Sequence, residues 1–190
     1  MSTSAPEPGY HHGNLPDALV EAALSLLREA GTEALSLRAV ARRAGVSAMA
    51  PYRHFTDKQA LLAAVAEHGF RRLAAGLAEA DAAADPGEAL CAQGVAYVRF
   101  ACDDPPLFRL MFGRPQPQGH EALHREGDIA YAVLASRVAR MVGADARDDV
   151  TLACWSLVHG LASLLVDGQF DGGDPEAAAA RVTRLLVRGL

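Results

Sequence analysis

The sequence is short of β-branched residues, of cysteine, of aromatics and of lysine, and each shortage removes a class of protein. Val, Ile and Thr together number 20, against 39 alanines and 24 leucines. Strand formers are scarce and helix formers abundant, which points to an all-α chain. The three cysteines (Cys91, Cys102, Cys154) are odd in number and spaced 11 and 52 residues apart. They suit neither a disulfide framework nor a CxxC metal site, and read as small buried apolar groups in a reducing cytoplasm. No uninterrupted apolar run reaches the roughly 18 to 20 residues that cross a bilayer, so no membrane partner is expected. Met1 to Gly13 shows neither the basic nor the apolar region of a secretory signal. P-loop, GxSxG and zincin motifs are missing. Asp103 and Asp104 stand before Pro105 as a helix terminus rather than an acid/base pair. His11 and His12 have no third ligand beside them. No catalytic residue, cofactor or metal is therefore assigned, and the chain is not read as an enzyme.

What is present is a helical chain with regular punctuation. Its 190 residues allow one domain, or a small domain joined to a larger one. Residues 1 to 14, with Pro6, Pro8, Gly9 and Gly13, read as an arm. From Leu15 an apolar stripe (Leu15, Leu19, Ala22, Leu26, Ala30) predicts a first helix of about 16 residues, stopped by Gly31. Ser36 is placed to cap a short helix through Arg43, Gly45 to turn the chain, and Ser47 to cap a second short helix to His54 or Phe55. Asp57 is placed to cap a longer helix reaching about Ala80. Beyond it, Asp85-Pro86-Gly87 and Asp104-Pro105-Pro106 break the chain on either side of another helix. A short apolar piece follows from Leu107 to Phe112, then a loop from Arg114 to Gly119. Helices are expected near Glu121 to Met141 and Asp148 to Val166, and a last one opened by Pro175, making about nine in all.

The whole-chain charge is −5, which by itself argues against nucleic acid. Its partition does not. Between Arg38 and Lys58 stand five basic residues (Arg38, Arg42, Arg43, Arg53, Lys58) and one acid, Asp57, so this window is +4 and the remainder −9. Lys58 is the only lysine in the chain. A short helix, a Gly-centred turn and a second short helix is also the geometry that places a recognition helix in the major groove.

These residues resemble the tetracycline-repressor (TetR) family of bacterial transcriptional regulators. Ala41-x-x-Ala44-Gly45-Val46-Ser47, Tyr52-Arg53-His54-Phe55 and Lys58-x-x-Leu61-Leu62 carry the likeness, over about Leu15 to Phe70. Tyr10-His11-His12-Gly13-Asn14-Leu15 and Trp155-x-x-x-His159-Gly160 resemble one branch of that family. The resemblance implies a helix-turn-helix domain over 15–60 and a ligand-binding and dimerisation domain over 61–190. It implies a homodimer on a (pseudo)palindromic double-stranded DNA operator, acting as a repressor released by a small-molecule effector. In that frame Tyr52, His54 and Lys58 meet phosphate, and Ser36 and Arg38 meet backbone or groove edge. Ser47, Ala48, Met49 and Arg53 belong to the recognition helix. Ala48, Met49 and Ala50 are apolar and can at most touch thymine methyl groups, so Arg53, Arg38 and DNA shape must carry more of the reading. Pro51 is expected to bend the start of this helix by biasing Ala50 away from helical angles.

The helix from Val150 to Val166 is apolar nearly all round and needs covering on several faces. By resemblance the cover is a second subunit, with Leu157, Leu161, Leu164, Leu165, Val182, Leu185, Leu186 and Leu190 at the interface. The resemblance also implies a pocket, walled by Tyr97, Phe100, Phe108, Met111, Phe112, Tyr131, Trp155 and His159. The same residues at helical spacing fit plain core, and His159 fits a hydrogen-bonded core histidine. Rivals of another class are an effector-independent architectural DNA-binding protein and a helical small-molecule enzyme.

Overall fold

The computed structural model describes residues 15–113, 121–170 and 173–189. The arm to Asn14, with its Tyr10-His11-His12 lead-in, the loop Arg114 to Gly119 and the candidate interface residue Leu190 lie outside the described residues. Eight α-helices and three short 3₁₀ turns make up the described elements, with no strand among them, in accord with the all-α expectation.

The first helix, α1, runs Leu15–Ala30 and buries Leu19, Ala23 and Leu27. Gly31, at φ 71°, ends it. After a 3₁₀ turn at Thr32–Ala34 comes α2, Leu37–Arg43, whose first turn is capped by Ser36 Oγ accepting from Ala39 N at 3.1 Å. Gly45, at φ 69°, reverses the chain, and Val46 N donates to the Ala41 carbonyl at 3.0 Å, closing the helix end.

The segment expected to be the next α-helix differs. Ala48 to Ala50 are turns and Pro51–Arg53 is a 3₁₀ helix. Pro51 has no N–H, so the Ser47 carbonyl cannot gain its partner four residues on; Ala50 N takes it instead at 2.9 Å. Arg53 N and His54 N then donate to Ala50 and Pro51 carbonyls, also three residues back. Ala50 keeps helical angles (φ −60°, ψ −44°), so proline tightens the winding of this segment rather than straightening Ala50.

Asp57 Oδ1 accepts from Ala60 N at 2.9 Å and caps α3, Lys58–Ala80, a single helix of 23 residues. The remaining elements are α4 (Pro86–Asp103), α5 (Pro105–Phe112), α6 (Glu121–Val138), a 3₁₀ turn at Ala144–Ala146, α7 (Arg147–Val166) and α8 (Pro175–Val187). α6 stops three residues short of the expected Met141, and α4 begins inside the Asp85-Pro86-Gly87 break, with Pro86 at its first position and Asp85 as its cap. α3 packs on α4, α5 and α6, while α4 lies between α7 and α8.

The helix-turn-helix head meets the rest through a continuous apolar core and through a buried carboxylate. Asp104, 3% exposed at the α4–α5 junction, accepts from Arg28 of α1 at 3.0 and 2.6 Å, with Arg72 of α3 at 3.6 Å. One charge thus ties three parts of the chain.

By length and composition α7 with its preceding turn, Ala144–Val166, is apolar enough to cross a membrane, with mean hydropathy 1.5. The sequence expectation overlooked it because Ser, His and Gly interrupt the run without lowering the average enough. Thr151, Cys154, Val158 and Ala162 are buried, while Leu152 and Leu164 on another face are exposed.

Gly94 on α4 lies directly under Thr183 of α8. A Cβ there would stand 2.3 Å from Thr183 Cγ2 and 3.3 Å from Val158 Cγ1, and the short branched Thr183 side chain has little room to turn. Gly94→Ala is predicted to lower unfolding free energy by about 1–3 kcal/mol through overpacking, measured by urea unfolding. A Gly76→Ala control meets nothing within 4 Å and should show no such loss.

Candidate functional site

The residues of the basic window lie largely at the surface of the head. Ser36, Arg38, Ser47, Ala48, Met49, Tyr52, Arg53 and His54 are exposed, and Lys58 is half-buried at the first position of α3. Ser36 is also occupied as the cap of α2. Met49 is 67% exposed, a large apolar side chain held outward at the tightest part of the turn. Pro51 and Phe55 point the other way and are buried, anchoring the 3₁₀ segment to the core.

Five basic residues do not make five free charges. Arg43 donates to Glu29 Oε1 at 2.6 Å and Oε2 at 2.5 Å, and to Ser25 Oγ at 2.5 Å. This fork pins α2 to α1 and spends the charge internally. Arg38, Arg42, Arg53 and Lys58 have no ion pair among the described residues. Sequence proximity counted Arg43 with them because its partner lies 14 positions away on another helix.

A second feature is a partly open cavity of about 400 Å³ bounded by α3, α4, α5, α6, α7 and α8. Tyr97, Phe112, Tyr131 and Trp155 line it, as does Leu186. His159 stands behind this wall: Tyr97 Oη and His159 Nδ1 are 2.8 Å apart, and the Phe112 ring meets the imidazole edge-on at 4.9 Å between centroids. Burial pushes the Tyr97 phenol well above its ordinary range and lowers His159, so this pair is neutral near pH 7.

The other three aromatic-set residues are elsewhere. Phe108 is buried against Phe112, with centroids 5.0 Å apart; Met111 is fully buried, beneath Gly69. Phe100 is half-buried beneath the Arg72 guanidinium, 5.8 Å from its ring centroid. Core packing claims them: Phe100 and Met111 lie against α3, and Phe108 lies against Tyr97 and His159.

Two matches to known families bear on this arrangement. The family described as "Bacterial regulatory proteins, tetR family" matches residues 19–65, the exposed basic head, and "Tetracyclin repressor-like, C-terminal domain" matches residues 90–188, over half the chain. The chain belongs to the TetR family. The match to the tetracycline repressor protein class A from transposon 1721 of Escherichia coli is 48% identical over 52 residues, 27% of this chain and 24% of that one, so it spans about a quarter of that relative's length. A solved protein of unknown function from Rhodococcus sp. RHA1 is similar throughout: 34% identical, covering 97% of this chain and 99% of that one, with TM-score 0.85. The TetR-family transcriptional regulator PfmR from Thermus thermophilus is 26% identical over 92% of this chain and 96% of that one, with TM-score 0.68.

In this TetR-family chain the candidate interface residues divide. Leu164 and Leu185 are exposed, at 42% and 68%, and Leu157, Leu161, Leu165 and Val182 are half-buried. Leu186 is on the cavity wall instead, since it points from α8 toward α6. Gly160 adds to the outward face, because a Cβ there would meet nothing within 4 Å. Sequence reasoning missed Gln93, Asp128 and His124 on the cavity wall. Polar residues on amphipathic helices read as solvent-facing; Asp128 and His124 are indeed exposed at the cavity rim, whereas Gln93 is buried on α4.

The Arg43 fork has a pH signature. The Arg43 guanidinium, then Ser25, hold the Glu29 carboxyl at about 2, against an ordinary 4.5. Its contribution to stability is full above the unfolded-chain value and is lost as pH falls from there through about 2. NMR titration of the Glu29 carboxyl is expected to show no protonation near pH 4 in the native chain. In Arg43→Ala the carboxyl should rise toward the ordinary 4.5, with Ser25 still holding it somewhat lower.

Proposed function

We propose that the chain is a dimeric, sequence-specific DNA-binding transcriptional regulator of the cytoplasm, a repressor released from a (pseudo)palindromic operator by a small molecule. The observation that carries the DNA assignment is the exposed face of Arg38, Arg42, Arg53 and Lys58, free of ion pairs among the described residues and flanked by Tyr52 and His54. In a chain of net charge −5 such a concentration of unneutralised cations serves a polyanion.

Tyr52, His54 and Lys58 hold phosphate and set the register; the N-terminus of α3 adds its own partial positive charge beside Lys58. Met49 and Ala48 enter the groove against thymine methyl groups, while Arg53 and Arg38 supply hydrogen bonds to base edges or backbone. Residues 15–60 act as the DNA-binding head and 61–190 as the effector and dimerisation domain. Two heads are needed for a two-fold operator, and the outward apolar face of α7 and α8 is the surface that brings them together.

The cavity is read as the effector site. α3 couples it to DNA: Lys58 opens the helix, and Phe70, Leu73 and Leu77 line the cavity on the same helix. At 1.5 Å per residue the first of these lies about 18 Å from Lys58. A ligand that displaces the α3 side chains therefore moves the head as part of the same rod, and the Arg28–Asp104 bridge carries the motion to α1. By linkage, DNA must weaken the effector as much as the effector weakens DNA.

Selection from random duplexes followed by binding titrations in salt tests the reading. Lys58→Ala is expected to weaken binding across sequences and to reduce the salt slope by about 1. Arg43→Ala should leave the slope unchanged, its charge being already neutralised by Glu29. Unchanged affinity after both Lys58→Ala and Tyr52→Ala would overturn the interface.

The dimer has its own test. Leu164→Glu with Leu185→Glu places carboxylates on the exposed apolar face; sedimentation should show a monomer with native helix content and lowered operator affinity.

A further inference from the structure

The buried polar side chains on the cavity wall are already committed within the protein. Gln93 donates from Nε2 to Asp81 Oδ1 at 2.9 Å, and its Oε1 is shielded from the cavity by surrounding atoms. Thr183, also buried on the wall, donates from Oγ1 to the Ala179 carbonyl at 2.8 Å. The Tyr97 phenol is paired with His159 Nδ1 at 2.8 Å, and burial keeps both groups uncharged near pH 7. Burial also pushes up the Cys154 thiol, which lines the wall as a small apolar group. Groups satisfied in this way ask nothing of a ligand.

No opposite charge awaits an ion inside. No Lys or Arg lines the cavity among the described residues. Arg137 and Arg140, the cations behind Gln93, are held by Asp81 at 2.5 and 2.7 Å. His124 and Asp128 of α6 are exposed at the rim, where water serves them, and Tyr131, also exposed, adds a neutral hydroxyl. The rest of the wall is hydrocarbon and aromatic. Leu73 and Leu77 stand with two edge-on ring pairs, Phe70 with Phe112 at 5.2 Å and Tyr131 with Trp155 at 5.6 Å. Such a wall gains by covering an apolar body. An ion carried inside would lose its water with no counter-charge or free hydrogen bond to replace it.

We propose that the ligand class of this cavity is an uncharged, largely hydrocarbon molecule. Its body lies among the aromatic and leucine side chains, and any hydroxyl or carbonyl it carries is left toward the rim. Carboxylates, phosphates and ammonium ions are the classes excluded. This deepens the reading of the cavity as the effector site, on which it rests. A volume of about 400 Å³ suits one such molecule of moderate size.

The sole tryptophan, Trp155, lies on the wall, so its fluorescence reports occupancy of the full chain without DNA. Phenylbutanol, phenylbutylamine and phenylbutanoate share one body and differ only in the head group. The alcohol is expected to bind at least about tenfold more tightly than either ion. Gly127→Leu locates the binding. A Cβ at Gly127 would face the Phe70 ring at 3.8 Å, an ordinary contact, so the leucine points into the cavity and replaces a glycine inside α6. It should weaken the alcohol at least about tenfold, with helix content checked by circular dichroism; if the variant loses helix, the order of the three probes on the unaltered chain decides. Either ion binding as tightly as the alcohol, no response up to the solubility of the alcohol, or binding unmoved by a folded Gly127→Leu would overturn the ligand class and leave the effector reading standing. Saturation by the alcohol with no change in operator affinity would overturn the effector reading alone.

Discussion

Asp104 is the charge on which the two halves of the molecule depend. Its carboxylate is buried where α4 ends and α5 begins, and a charge so placed is tolerated only with partners. Those partners come from elsewhere: Arg28 near the end of α1 and Arg72 in the middle of α3. The position of the head relative to the body is fixed by this polar contact together with an apolar core that continues from α1 and α2 through α3 to α4 and α5. Both Arg28 nitrogens donate to Asp104 Oδ2, and Oδ1 has no hydrogen-bond partner among the described residues, so the carboxylate is held through one oxygen.

That junction also sets where α5 begins. It begins beside Asp104, presents Leu107, Phe108 and Met111 to the core, and ends with Phe112 on the cavity wall. Gly69 on α3 leaves the space that Met111 fills. The cavity and the head thus share α3 as a rod and α5 as a strut. Neither can shift without straining the other.

Much of this was legible in the sequence where the signal is local. Ser36 and Asp57 cap helices through bonds three residues long, as their places before helix formers suggested, while Ser47 caps none. The TetR likeness rests on the same short-range spacing. Signals that depend on folding were not legible. Arg43 finds Glu29 14 positions away, and Arg28 finds Asp104 76 positions away. Pro51 was visible, but whether it would bend the segment or tighten it depended on which donor took the Ser47 carbonyl. Among the aromatics, Phe108 and Phe112 are one turn apart and in contact, yet only Phe112 reaches the cavity. No periodicity separates them.

The scarcity of lysine has a chemical consequence. Arginine resists acylation and keeps its charge at any pH a protein meets, whereas a lysine amine can be acylated and its charge erased. In this chain a single ε-amine exists, and it opens the helix that joins the proposed phosphate contact to the cavity. Chemistry directed at lysine has one side-chain address here, and that address is the electrostatic edge of the head.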